Sequence, residues 1–253
     1  MINRRTVLSR IGLSSLTGLL ASVAQRSHAQ DHHQSASTPV AVQTPAVQYT
    51  PVRTLNGWTL PFTMNAGVKE FHLVAEEVEH EFAPGCKAKC WGYNGTTPGP
   101  TIEAVEGDRV RIFLTNRLKE HTTAHWHGLL LPSGMDGVGG LNQPHIKPGE
   151  TYVYEFTLQQ HGTHMYHPHA DEMVQMAVGM MGLFIIHPKS GEPNRIDRDY
   201  CLLLHNWALH PGTYRPDPSI MTEFDLWTFN SKVPSSYVSS TGWLTSIPRM
   251  LNI

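Results

Sequence analysis

Charge of either sign is scarce in this chain. Asp, Glu, Lys and Arg make up 16% of the 253 residues, and the formal net charge is −2. Without a basic excess there is no electrostatic footprint for nucleic acid or for an anionic membrane surface. Cysteine is scarcer still, with three residues at positions 86, 90 and 201. An odd count leaves at least one outside any intramolecular disulfide. Cys86 and Cys90 lie four apart in APGCKAKCWGY, too far to bridge along an extended strand, and the three form no zinc pattern. Long hydrophobic runs are also missing: the stretch from Ile11 to Ala24 falls short of the roughly 20 residues that span a bilayer. No long helical periodicity appears, whereas 21 Gly and 18 Pro supply the punctuation of a turn-rich fold.

The first thirty residues, MINRRTVLSRIGLSSLTGLLASVAQRSHAQ, read as an export signal. The Arg4-Arg5 pair precedes the mildly apolar stretch, and Ser27-His28-Ala29 offers small residues for cleavage, the pattern of a twin-arginine signal over 1–29. The expected destination is the periplasm, with no membrane attachment once the signal is removed. Residues 30–55, rich in Ser, Thr, Pro and Gln, are expected to be a disordered leader.

From residue 56 the pattern turns strand-like. RVRIFLTNRL places Val110, Ile112 and Leu114 on one face and Arg109 and Arg111 on the other, and TYVYEFTL alternates Tyr152, Tyr154, Phe156 and Leu158. The turn signals YNGTTPGP, LPSGMDGVGG, IKPGE and HPKSGEPN separate these runs. An all-β Greek-key sandwich is expected over 56–190, with a short helix or loop in DEMVQMAVGMMG. YCLLLHNWAL and the following residues, 191–253, read as a linker and the start of an incomplete second β domain with a Ser-rich tail.

What is abundant is histidine, sixteen residues. Two stretches carry His-x-His pairs: TAHWHGLL holds His125 and His127, and GTHMYHPHADEM holds His167 and His169. Residues i and i+2 of a strand project to one face, so two such strands side by side bring four imidazoles together. Imidazole suits copper, zinc and iron. His164, three before His167, should face away. His121 and His145 are nearby loop candidates for roles behind the ligands or toward a substrate. His72, His80, His161, His187, His205 and His210 read as surface or linker residues. Met173, Met176, Met180 and Met181 read as flexible core packing, with a cuprous-ion site as the alternative.

HWHG followed by YHPH, together with WGYNGTTPGPTIEAVEGDRVRI, LPSGMDGVGG, IKPGETYVYEF and MVQMAVGMMGLFIIHP, resembles the N-terminal cupredoxin domain of the multicopper oxidases. The similarity runs over roughly residues 60–235. It implies a cupredoxin-like fold, an incomplete second cupredoxin-like domain, and part of a copper cluster with type 2 and type 3 sites. By that resemblance His125 binds the type 2 copper, while His127, His167 and His169 bind the type 3 pair. Asp136 matches an acidic residue beside the cluster that would hydrogen-bond a bound water and deliver protons; as a residue it also reads as a turn Asp before Gly. The implied reaction oxidises a metal ion or a phenol-like small reductant and reduces dioxygen to water.

The resemblance also implies a His-Cys-His type 1 motif and a second set of four histidines, and neither occurs in this sequence. After FNSKV the family pattern gives way to the Ser-rich tail, as truncation would leave it; a homo-oligomer that borrows ligands from a neighbour is the other expectation. A non-catalytic copper-binding protein is the competing function. A zinc hydrolase is disfavoured because no His-Glu-x-x-His motif pairs a base with the histidines.

Overall fold

The structure is a computed structural model that describes residues 49–210, 213–233 and 249–252, the last four by backbone alone. The expected signal, 1–29, and residues 30–48 of the expected leader lie outside the described residues.

The fold is almost entirely β. One sheet runs β2 (Thr63–Asn65), β3 (Val68–Ala83), β6 (Arg109–Asn116), β8 (Thr151–Thr157), with β4 (Cys86–Tyr93) also paired to β3. The alternation of RVRIFLTN is realised as expected: Val110, Ile112 and Leu114 are fully buried. Its outward Arg111 forks between Glu70 and Glu155 at 2.5 Å each, and Arg109 also pairs with Glu155. A second sheet runs β5 (Ile102–Val105), β10 (Gly182–His187), β9 (Gly162–His167), β7 (His125–His127). Phe71, Leu73, Ile112, Tyr154 and Phe156 of the first sheet share one core with Ile102, Trp126, Tyr166, Phe184 and Ile186 of the second. Trp126 is fully buried in this core, with Tyr154, Phe156, Tyr166 and Phe184 all within 6.1 Å between ring centroids.

A third sheet explains why every residue of β10 is buried. Strand β11 (Asp199–Trp207) lies between β1 (Val52–Thr54) and β12 (Leu226–Phe229), and β13 (Arg249–Asn252) also pairs with it. Phe184 and Ile186 face the sandwich core, while Leu183 and Ile185 face outward and pack with Met165, Met181, Cys201, Leu203 and Val52. A strand covered on both faces reads as a continuous apolar run rather than an alternation, and MGLFIIHP is such a run. Residues 199–233 are thus seated on the sandwich.

Three expectations change here. Val52–Thr54, assigned to the disordered leader, forms β1, parallel to β11 with Val52 opposite Asp199. Its pairing partner lies too far along the sequence for local composition to show it. His187, read as surface or linker, is fully buried on the outer face of β10. Its Nε2 lies 2.7 Å from the carboxylate of buried Glu103, which also accepts the Val52 amide, and Tyr49 stacks on the ring at 3.9 Å. A buried ionisable pair of this kind is satisfied by tertiary partners that no local pattern reveals. His205 is also buried, on β11, and desolvation lowers its pKa to about 4. Cys86, Cys90 and Cys201 form no disulfide. Burial pushes the Cys90 thiol up to about 12, so it stays protonated and is a poor metal ligand.

Candidate metal centre

The motif HWH becomes the edge strand β7, and three local devices hold it there. Trp126 anchors the strand from its core face. The Ala124 amide just before it donates to the hydroxyl of buried Tyr154 at 2.9 Å. Thr122 donates to Gln175 at 2.7 Å, and Gln175 in turn donates to the His121 carbonyl at 2.8 Å. Gln175 belongs to the short helix α1 (Glu172–Ala177), so this exchange ties the helix that follows YHPH to the chain that precedes HWH.

Strand pairing then sets the site. β7 and β9 are antiparallel, with His125 opposite His167, Trp126 opposite Tyr166 and His127 opposite Met165. Trp126 and Tyr166 point into the core, so His125, His127 and His167 emerge on the other face. His169 follows past Pro168, and its amide donates to the hydroxyl of buried Thr123 at 3.0 Å. All four histidines expected as ligands therefore gather at one place. A ligand nitrogen from each of His125, His127 and His167 lies within 4.8 Å of the others. His127 Nδ1 and His167 Nε2 are 3.1 Å apart. The His169 ring lies 5.4 Å from that of His125 and 6.4 Å from that of His167.

The imidazoles are oriented from behind. His125 Nδ1 donates to the Asp136 carbonyl at 2.7 Å, and His167 Nδ1 donates to the Pro168 carbonyl at 2.9 Å. Each bond fixes the tautomer and leaves Nε2 with its lone pair for a metal. Burial lowers the His167 pKa to about 4, so this ring is neutral at physiological pH. A metal ion competes with no proton there.

Asp136 lies beside His125, and its backbone makes the closer contact. Its backbone carbonyl holds His125, while its carboxylate is 3.4 Å from His125 Nδ1 and accepts from Asn142 at 3.4 Å. Asp136 closes the short 3-10 turn Ser133–Met135, and Gly137 then takes φ +85°. A Cβ at Gly137 would sit 1.8 Å from the Ala124 carbonyl oxygen and 2.9 Å from His125 Cα. Gly137→Ala should therefore cost roughly 2–5 kcal/mol, from the left-handed backbone plus overlap with β7. Denaturant melts should show that loss.

Sequence reasoning missed Glu172. Its two carboxylate oxygens lie 3.6 Å from His167 Nδ1 and 3.3 Å from His169 Nε2. The available signal was an acid three residues after His169, at a helix start. His164 lies on the opposite face from His167, as expected; it is half-buried beneath Gly128 and Gly162, and desolvation lowers its pKa. The His121 and His145 rings lie 4.4 Å apart, tilted by 46°, and take no part in the cluster.

A multicopper oxidase family model matches residues 75–191, the segment that contains all four histidines. The chain is 33% identical over 179 residues to copper resistance protein A of Escherichia coli, which covers 71% of this chain and 29% of that protein. It is 42% identical over 155 residues to L-ascorbate oxidase of Brassica rapa subsp. pekinensis, covering 58% of this chain and 26% of that one. Among solved structures, a multi-copper oxidase from Pseudomonas Thermotolerans superposes with a TM-score of 0.61 at 31% identity, over 67% of this chain and 42% of that one. The chain thus spans less than a third of the length of the curated relatives compared. Residues 75–191, which carry the HWH and HPH pairs on a cupredoxin-like sandwich, belong to the multicopper oxidase family.

Proposed function

We propose that this chain supplies one half of the ligand set of a copper cluster at which dioxygen is reduced to water. The electrons come from a small reductant, either a metal ion or a phenol-like compound. The observation that carries the reading is the convergence of His125, His127 and His167 nitrogens within 4.8 Å on one sheet face. A neutral imidazole oriented by a carbonyl, as His167 is by Pro168, suits copper. In the assignment proposed, His125 holds a type 2 copper, and His127, His167 and His169 hold type 3 coppers. Bound copper would supply one-electron redox chemistry and an attachment point for dioxygen. The remaining ligands would come from a complementary histidine set outside residues 49–233.

The chain's own groups do the rest. Asp136 fixes His125 through its carbonyl, while its carboxylate, about a third exposed, moves protons from solvent toward the imidazoles. Glu172 buttresses His167 and His169. The Arg4-Arg5 segment directs export to the periplasm. Among the described residues no helix is long and apolar enough to cross a membrane.

The test is copper stoichiometry with electron paramagnetic resonance on reconstituted protein. The expected result is at most about two nitrogen-coordinated copper ions per chain, with no intense blue band, since no Cys–copper bond forms. Full copper loading in a variant with all four histidines replaced would overturn the reading.

A further inference from the structure

We propose that His121 and His145 form a separate surface site, a two-imidazole chelate that binds a divalent transition-metal ion of the Zn(II), Ni(II) or Cu(II) class. The proposal does not depend on the four-histidine cluster or on dioxygen chemistry.

The two ring centroids are 4.4 Å apart, with the planes tilted by 46°. That is closer than the 5.4 Å between the rings of His127 and His167, whose Nδ1 and Nε2 stand 3.1 Å apart. Thr122 and Ile146 account for the approach. Both are buried, and they exchange two backbone hydrogen bonds, at 3.0 and 2.9 Å, as an isolated antiparallel bridge. Residues next to an inward-facing bridged pair turn to the other face. His121 and His145 therefore emerge together on the solvent side, as diagonal neighbours across the bridge, and both are exposed.

The platform beneath the pair is fixed before any ion arrives. Buried Asn116 donates from Nδ2 to the carbonyls of Glu120 and Ile146, at 2.8 and 2.9 Å, and so clamps the two segments together. Gln175, also buried, donates to the His121 carbonyl at 2.8 Å. The His145 ring rests on the backbone of Gly139, where a Cβ would come within 2.4 Å of its Cδ2 and 2.6 Å of its Nε2. Two ligands held this way lose little conformational freedom when they bind. Among the described residues neither ring makes a hydrogen bond or an ion pair, so each neutral imidazole keeps a lone pair for a cation. Imidazole nitrogen suits this class of ion, and the open side lets water fill the remaining positions.

Zinc is the probe, because it has no redox chemistry of its own. Metal-free protein carrying 15N-labelled histidine is titrated with Zn(II), and the ring nitrogen resonances are followed one by one. Those of His121 and His145 should shift together and saturate at about one ion for the pair. His72, exposed on β3 and stacked on Phe113, serves as the control for adventitious binding to a single imidazole. His121→Ala, a change at an exposed side chain, should weaken Zn(II) binding at His145 at least about tenfold. A His125→Ala/His167→Ala variant should keep the response, which separates this site from the copper cluster. The proposal is overturned if His72 shifts at the same zinc concentration, if His145 binds as tightly in His121→Ala as in the parent, or if the response disappears with the cluster histidines.

Discussion

Replacing His125 and His167 together by Ala lowers Cu(II) affinity by more than about 100-fold, beyond the 10–100-fold that loss of a group merely behind a ligand costs. The two rings face each other across the β7–β9 ladder with centroids 5.3 Å apart, so their removal empties the middle of the cluster. The variant keeps Trp126 and Tyr166, the core-side halves of the same strands, so far-ultraviolet circular dichroism should be little changed. Asp136→Asn is the informative contrast. It retains the backbone carbonyl that orients His125, so copper affinity should fall by less than about tenfold. Proton-dependent dioxygen consumption in a complete assembly should fall more. Equal losses of affinity in the two variants would mean that the Asp136 carboxylate, not its carbonyl, holds the ligand ring.

The second large effect is acid destabilisation of the metal-free protein. His205 has its pKa depressed by burial from 6.5 to about 4. The unfolded chain takes up a proton as pH falls through 6.5, whereas the folded chain refuses it until about pH 4. Stability is therefore full above pH 6.5 and is lost progressively between 6.5 and 4. The loss amounts to roughly 3 kcal/mol for a shift of this size. His167 acts in the same direction and over the same window in the absence of metal. Urea melts at several pH values should show the parent losing more stability on acidification than His205→Gln. Parallel pH profiles for the two proteins would show that the His205 ring is not desolvated in the folded state.

The parts of this molecule that could be read in its sequence are those governed by short periods. Val110, Ile112 and Leu114 alternate, and they line the core. HWH and YHPH carry the same period, and it is the pleat that turns His125, His127 and His167 to one face. Glu172 escaped notice because its partners come from strand geometry, while it sits itself at the start of a helix. His187 and His205 were misread for a related reason. Each is a single histidine without a repeating neighbour, and what buries it is a sheet assembled from distant segments. Asp136 shows a finer limit. The family resemblance pointed to a carboxylate role, but the backbone carbonyl makes the shorter contact, and no side-chain pattern reports that.

That third sheet has a consequence for the order in which the chain can fold. Strand β1 lies at the start of the described chain, and its ladder partner β11 comes only after both layers of the sandwich have been specified. Asn230, later still, donates to the carbonyls of Leu55 and Cys201 and accepts from the Leu203 amide, fastening the two ends together. Contacts of such long sequence separation form late, because loop closure must be completed before they contribute. During synthesis, Leu183 and Ile185 stay uncovered until β11 arrives. Ribosome-bound chains that expose residues only up to about 195 should bind hydrophobic dyes and chaperones, and those that expose residues beyond about 235 should not.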